Sequence, residues 1–587
     1  MTALHLAVQN NCKETVELLL SHGANVNAQN SELETPLCIA VENNNKIILE
    51  DLLAHGAFVN TKYIDGSTAL HVAIQNNRSE ISKFLITHGA NLDIKDVDEN
   101  TALHYAIGKG EEIVELLISH GAKTNLTNKS GKTAFHLAVE HRYEPEIKCF
   151  ISHGINVNFK DKHGRTALLI ALENNSSKEI IELLLSHRAQ VNVQDENGNP
   201  ALHIAVKKAI DKEILELLIS HGIDINSKDS DNKTALHISS MHKECYDLTE
   251  LLISHGLDVN LKDKYGQSPL HYAVKCADGN RTIELLLKNG ADINMKDRDE
   301  KTPLHIASYF YRSEVLEYLV VNGADVNIKD ISGKTALHYA ALYGNATNSK
   351  FLIAHSADVN AKDNENNTPL HFSCENNYKN NMCELLISNG SDINSKDING
   401  RTPLHIAIIN HCNEIAKLLV SRGADLNIKE NSGKTPLHYS VELDNKVKLL
   451  TSHGADINAN DNSDKTALHI ASQNQDRIDI MEFLISHGAD INAKDIRGKT
   501  PLHMAAENCF CDAIEKLILS GADINAKDEN GKTILHYIAE SSITWIVEFL
   551  VSHGADINAK DNENKIPYEI ATFNEVKKVL KPSNIKT

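Results

Sequence analysis

Thirty-one histidines, ten cysteines and a recurring Asp-x-Asn-x-x-Asp run are the residues of this 587-residue chain with chemical potential. Dense histidine suits metal ligation or proton transfer, thiols suit soft metals or nucleophilic attack, and alternating carboxylates and amides suit calcium. Spacing decides among these. The cysteines stand at 12, 38, 149, 245, 276, 374, 383, 412, 509 and 511, with no CxxC pair. Cys509 and Cys511 are the one close couple, too close together for ordinary paired zinc ligation. In DINAKDENG, Asp523, Asn525 and Asp528 precede Gly531, but Lys527 takes the fifth loop position and Ile534 the twelfth, where calcium needs oxygen ligands. No GxxxxGK[ST], GxSxG or HExxH motif occurs, nor a GxGxxG turn after a strand.

A repeat accounts for most of the histidines. With the Thr of TPLH or TALH as origin, units begin at 2, 35, 68, 101, 133, 166, 200, 234, 268, 302, 335, 368, 402, 435, 466, 500, 533 and 566, a mean spacing near 33 residues. Fifteen histidines (5, 71, 104, 136, 203, 237, 271, 305, 338, 371, 405, 438, 469, 503 and 536) fill the TxLH slot. Twelve (22, 55, 88, 120, 153, 187, 221, 255, 355, 453, 487 and 553) fill the SHG slot, leaving 141, 163, 242 and 411. Placement this regular points to a structural role rather than ligation.

Each unit reads T[PA]LHxA, a short polar stretch, ExxELLISHGADINAKD, then a turn such as ENGK. Thr suits a helix N-cap and proline the first helical position, the slot that holds eight of the eleven prolines. Apolar residues at helical spacing predict two short helices per unit, each with one face to bury. Asn11, Asn44, Asn77, Gly110, Gly344 and Asn377 occupy the slot where the first helix should end in a left-handed conformation, and Tyr311 holds it in its own unit. The glycine of SHGA stops the second helix, and DINAKDxxGK predicts a tight hairpin-like connection. No unit buries its apolar faces alone, so the units must stack into one elongated core with nearest-neighbour energetics.

At these residues the chain resembles the ankyrin repeat family, whose TPLHxA fingerprint recurs along its whole length. The resemblance implies an all-α fold, a curved ankyrin repeat α-solenoid of helix-turn-helix units with projecting β-turns or hairpins. It assigns residues 1–565 to a continuous array of 17 units, the first lacking its leading hairpin, and 566–587 to a degenerate C-terminal capping repeat and tail. It also implies that a TxLH histidine bonds to its own Thr and nearby backbone as a neutral acceptor, while an SHG histidine faces the negative end of the helix dipole. Cys38, Leu169 and Glu569 depart from the histidine, and Pro200 and Ile566 from the Thr. The unit 435–465 has only 31 residues because its segment ELDNKVKLL is shortened, which predicts a changed curvature or a weaker joint. The chain opens inside a first helix, implying an improvised cap or an incomplete coding region. The last segment keeps its apolar spacing and adds Lys577, Lys578, Lys581 and Lys586, the polar outer face of a cap.

Bulk composition agrees with a folded scaffold. Hydrophobic residues make up 41% and charged residues 24%, far from the profile of disorder. A formal charge of −20 opposes nucleic acid and anionic membranes. The first residues do not form a signal peptide, and no run of about 18 uninterrupted apolar residues suggests a membrane span. Scattered thiols point to a reducing compartment, hence a cytoplasmic setting.

In a solenoid, partner-specific information lies where stacking leaves residues free. In the family these are the turn tips and the two residues after LHxAx, facing the concave groove. Most such pairs are polar, such as Gln9 and Asn10 or Glu507 and Asn508. Two successive units differ: Tyr309 and Phe310, then Leu342 and Tyr343, with Ile331 at the intervening tip and Ile409 two units on. Exposed adjacent aromatics have the makeup of an interface hot spot, against the alternative that they fold back over the inter-helix loop. Tyr311 is read as covering a turn, and Trp545, at second-helix spacing, as core. The resulting expectation is a monomeric, non-enzymatic protein-interaction scaffold with no cofactor, no metal and no small-molecule substrate. A spacer array, or an adapter or regulatory subunit of an enzyme or ubiquitin-ligase assembly, is the alternative.

Overall fold

A computed structural model describes residues 1–276, 279–443 and 446–582. They fall into two compact units, Met1–Asp292 and Ile293–Thr587. Both are built from the same helix pairs, and among the described residues every regular element is helical.

The pair in the repeat starting at 302 shows why the sequence folds this way. Thr302 is extended at φ −91°, Pro303 takes the first helical position, and the helix Pro303–Tyr309 is followed by Ser313–Val321. Helices of seven and nine residues are too short to persist alone in water. Burial of Leu304, Ala307, Leu316 and Leu319 between neighbouring pairs stabilises them instead. Truncating any one such leucine to alanine would cost about 2–5 kcal/mol. Within the second unit Pro303–Tyr309 packs on Ala336–Tyr343, which packs in turn on Pro369–Ser373. Within the first, Ala134–Glu140 packs on Ala167–Glu173, and Phe135 meets Phe150 edge-on at 5.7 Å.

The TxLH histidine joins one repeat to the next. His305 Nδ1 accepts from the Thr302 backbone N–H at 3.0 Å and from its hydroxyl at 2.9 Å, while Nε2 donates to the Lys334 carbonyl at 3.0 Å. His104 repeats the arrangement between Thr101 N–H and the Lys132 carbonyl, each at 3.1 Å. The carbonyl can only accept, so the ring is the neutral Nε2–H tautomer. The SHG histidine is the opposite tautomer: His355 Nδ1 donates to the Phe351 carbonyl at 2.9 Å, capping the second helix. Placement at the negative helix end, read from the sequence, thus becomes a specific hydrogen bond.

The connections are turns more than hairpins. Asp330 Oδ1 accepts from the backbone of Ser332 and Lys334, both at 2.9 Å, and Gly333 supplies the left-handed residue at φ 77°. Isolated bridges extend only four connections among the described residues: Lys62 with Thr68, Thr127 with Thr133, Gln194 with Pro200, and Asn460 with Thr466. Successive tips are tied by single backbone bonds, Ile331 N to Asp299 O at 2.9 Å and Asn364 N to Ser332 O at 2.9 Å. The Asn of DIN adds a second tie. Asn327 Oδ1 accepts from Asp358 N at 2.8 Å and its Nδ2 donates to Ser356 O at 3.0 Å, as Asn27 does with Phe58 and Gly56 in the first unit.

Several expectations need correcting. Asn11, Asn44, Asn77, Gly344 and Tyr311 are left-handed as read, but Gly110 is not, with φ 108° and ψ 150°. There the helix stops early, at Ala106, and Gly108 makes the turn at φ 78°. Asn377 instead begins a 3-10 turn, Asn377–Lys379. Trp545 is 49% exposed rather than core, because the buried face of Thr544–Ser552 is formed by Ile546, Val547 and Leu550. In the 31-residue unit the second helix, Val447–Ser452, has six residues and starts after a left-handed Lys446. Residues 444–445 of ELDNKVKLL lie outside the described residues, as does Lys586. The helix Asn574–Leu580 buries Val576 and Leu580 and leaves Lys578 exposed.

Most departures from the motif find substitutes. Glu569 accepts from Ile566 N at 2.9 Å, the role of His Nδ1 elsewhere, and Cys38 Sγ lies 3.2 Å from Thr35 Oγ1. Pro200 has neither N–H nor hydroxyl, and His203 Nδ1 is buried without a partner.

Candidate functional interface

The face after LHxAx is set by the end of each first helix. Pro303–Tyr309 ends with Phe310 as C-cap, and Tyr311 turns the chain at φ 57°. In the next repeat Ala336–Tyr343 runs one residue further and Gly344 takes the left-handed turn. The two helix ends therefore bring their terminal aromatics together. Tyr309 meets Phe310 edge-on with centroids 4.8 Å apart, and Tyr343 likewise at 4.8 Å. The Tyr311 ring stands 6.5 Å from Tyr343, and its hydroxyl donates to the Tyr343 carbonyl. Edge-to-face pairs of this kind contribute about 0.5–1.5 kcal/mol each beyond area burial.

Contact among the rings does not bury them. Tyr309 remains 44% exposed, Phe310 46%, Tyr311 55% and Tyr343 36%. The rings thus form one outward-facing patch across two repeats rather than a plug in the core. The Tyr343 phenol is pushed above its ordinary value, first by partial burial and then by the Tyr309 hydroxyl. Tyr343 is accordingly an uncharged hydrogen-bonding group at neutral pH.

The other residues singled out from the sequence are placed differently. Leu342, next to Tyr343, is half-buried. Ile331 is 59% exposed on its turn tip, and Ile409, half-buried, ends Pro403–Ile409 two repeats on. Tyr311, read from the sequence as cover for a turn, is a full member of the cluster. Tyr378 escaped notice altogether: it is 95% exposed on the 3-10 turn of the following repeat. A Cβ on Gly344 would stand 3.3 Å from Lys379 Cγ, so the segments carrying Tyr343 and Tyr378 are neighbours. For Tyr311 the signal was an aromatic in the inter-helix slot where Asn or Gly recurs, whereas Tyr378 stands one residue past the slot that Asn377 holds.

The TxLH histidines, the calcium-like run and two of the buried thiols are engaged within the fold. Burial lowers TxLH histidines such as His237 and His305 below their usual range, and to about 4 at His104, His338 and His405, holding them neutral in their hydrogen bonds. Three carboxylate oxygens of the calcium-like run accept hydrogen bonds within the fold. Asp523 Oδ1 accepts from Asn525 N, Asp528 Oδ1 from Asn530 N and Lys532 N, and Asp528 Oδ2 from the Tyr537 hydroxyl at 2.6 Å. Cys374 and Cys383 are buried with sulfurs 3.9 Å apart. Among the described residues no helix is long and apolar enough to cross a membrane.

Comparison with known proteins is consistent with this architecture. A family model described as ankyrin repeats in three copies matches residues 1–63, 37–128, 110–195, 202–297, 270–363, 304–397, 350–430, 425–495 and 491–561. A second, described as ankyrin repeats in many copies, matches 174–219. No curated protein matches the chain. Matches covering nearly its whole length, together with the stacked helix pairs, show that the chain belongs to the ankyrin repeat family.

Proposed function

We propose that this protein is a non-enzymatic interaction scaffold and that Tyr309, Phe310, Tyr311 and Tyr343 form the centre of a partner-protein contact. The observation that carries the reading is the edge-packed aromatic cluster that stays exposed across two repeats. Tyrosine and phenylalanine supply large contact area with few rotors, and the Tyr311 hydrogen bond fixes the rings before binding, which lowers the ordering cost. Half-buried Leu342 and Ile409 and the exposed Ile331 are assigned to the same contact. A net charge of −20 favours a partner of basic or mixed surface and speeds encounter with it. Scattered free thiols suit a reducing, cytoplasmic setting.

The test is affinity capture with mass spectrometry, comparing wild type with the combined Tyr309→Ser, Phe310→Ser, Leu342→Ser and Tyr343→Ser variant. Circular dichroism would confirm that the variant is folded. Loss of specific partners from the folded variant is expected, and equal partner lists would refute the assignment.

A further inference from the structure

Three side chains from two successive repeats of the first unit converge where a linear motif search finds nothing. Glu115 lies on the helix Glu111–Ser119, Cys149 on Glu144–Ser152, and His153 is the C-cap of the latter. Their donor atoms all lie within 4.8 Å of one another. Glu115 Oε2 stands 3.2 Å from Cys149 Sγ, and Glu115 Oε1 stands 3.4 Å from His153 Nε2. Ligand atoms around a tetrahedral zinc ion are separated by about 3.3–3.7 Å, close to both distances.

The histidine is already oriented as a ligand. Its Nδ1 faces the Cys149 carbonyl at 2.9 Å and donates there, leaving the Nε2 lone pair directed at a carboxylate oxygen. Two acceptors then face each other, an arrangement a cation resolves, and the Nδ1–H to carbonyl bond is the outer contact that metal-bound histidines commonly make. A matching position elsewhere shows what the repeat geometry asks for. In the second unit Arg422 stands where His153 does and Glu384 where Glu115 does, and they form an ion pair at 2.6 Å, so there the chain supplies its own cation. Here it offers an imidazole instead. It also places a thiol where repeats such as those ending at His22, His120 and His221 carry Leu18, Leu116 and Leu217.

We propose that Glu115, Cys149 and His153 bind a zinc-class divalent cation through a carboxylate oxygen, a thiolate and Nε2. The thiol proton passes to solvent as Sγ coordinates. The fourth tetrahedral position is left to water or to a ligand from a partner. Glu115 and His153 are partly exposed, which gives the ion a path in, while Cys149 is buried at the helix interface and fixes the depth of the site.

The experiment uses the full chain, stripped with a chelator and titrated with Co²⁺ as spectroscopic probe. One equivalent should develop tetrahedral d–d absorption together with a thiolate-to-cobalt charge-transfer band, and added Zn²⁺ should abolish both. Cys149→Ser should remove the charge-transfer band. His153→Gln, at a partly exposed helix cap and with circular dichroism as the check on folding, should weaken binding at least about tenfold. Cys374→Ser with Cys383→Ser should leave the spectrum unchanged. Absence of the band in wild type, its persistence in Cys149→Ser, or unchanged affinity in His153→Gln would each overturn the proposal.

Discussion

Lowering the pH from 7.5 to 5.5 is expected to destabilise the array through its TxLH histidines. At His305, His338 and His405 Nδ1 accepts from the N–H of the capping threonine, so protonation would set a donor against a donor and place a charge in the core. Burial holds His338 and His405 at about 4, against 6.5 in the unfolded chain. Folded values lie below unfolded ones. The stability these groups confer is therefore complete above pH 6.5, falls as protons bind the unfolded chain, and levels off near pH 4. For one such histidine the loss between pH 7.5 and 5.5 works out at about 1.3 kcal/mol. His338 and His405 together remove about 2.6 kcal/mol from the second unit. Burial shifts His305, His371, His438, His469, His503 and His536 in the same direction and adds to the loss, while burial raises the Glu375 carboxyl and works the other way. Asp161, whose carboxylate is held below its usual value, titrates beneath this window and leaves the sign unchanged. The assay is urea unfolding at the two pH values, where the midpoint should fall by on the order of 1 M or more. His405→Gln should shrink the pH difference by one histidine's share, whatever it does to stability at pH 7.5. Equal midpoints at both pH values, or an undiminished difference in the variant, would refute the neutral-acceptor role.

Other expectations follow from single contacts. Pro200→Thr should stabilise the first unit by about 1 kcal/mol in the same assay, since it restores both donors to the orphaned His203 Nδ1. Asn327→Ala removes two bonds to the next repeat and should cost about 1–2 kcal/mol, read as faster amide exchange at Asp358. Gly433→Ala should be worse than Gly23→Ala by roughly 1–3 kcal/mol in thermal unfolding. Both are left-handed, but a Cβ at 433 would meet Asn462 N at 2.5 Å while one at 23 meets nothing within 4 Å.

Much of the fold was legible because the repeat states it eighteen times over. Threonine and leucine at fixed offsets, with proline in eight units, mark most first helices, and the SHG glycine marks the end of most second ones, Arg188 and Ser356 replacing it in two repeats. What failed were positions where a local choice overrides the average. Gly110 was assigned the left-handed role that Gly108 takes, because helix Ala102–Ala106 stops early. Trp545 has core spacing by count, yet its neighbours Ile546 and Val547 take the buried face. For the candidate interface, the pair after LHxAx located Tyr309, Phe310 and Tyr343 on one patch. Tyr311 was read as covering a turn, since its link to the cluster runs through a side chain to a carbonyl 32 residues away, a contact no offset within one repeat encodes. The triad of Glu115, Cys149 and His153 was hidden for the same reason, its carboxylate and thiol lying 34 residues apart.

The claim that the aromatic patch is where a partner docks is tested most directly by site-specific photocrosslinking. A benzophenone side chain at Phe310, compared with one at the equally exposed Trp545, places the same reporter on and off the proposed contact. The account predicts a discrete protein adduct from position 310 that is absent from position 545 and lost when Tyr309 and Tyr343 are changed to serine. Identical adducts from both positions, or none from 310 while 545 crosslinks, would contradict it.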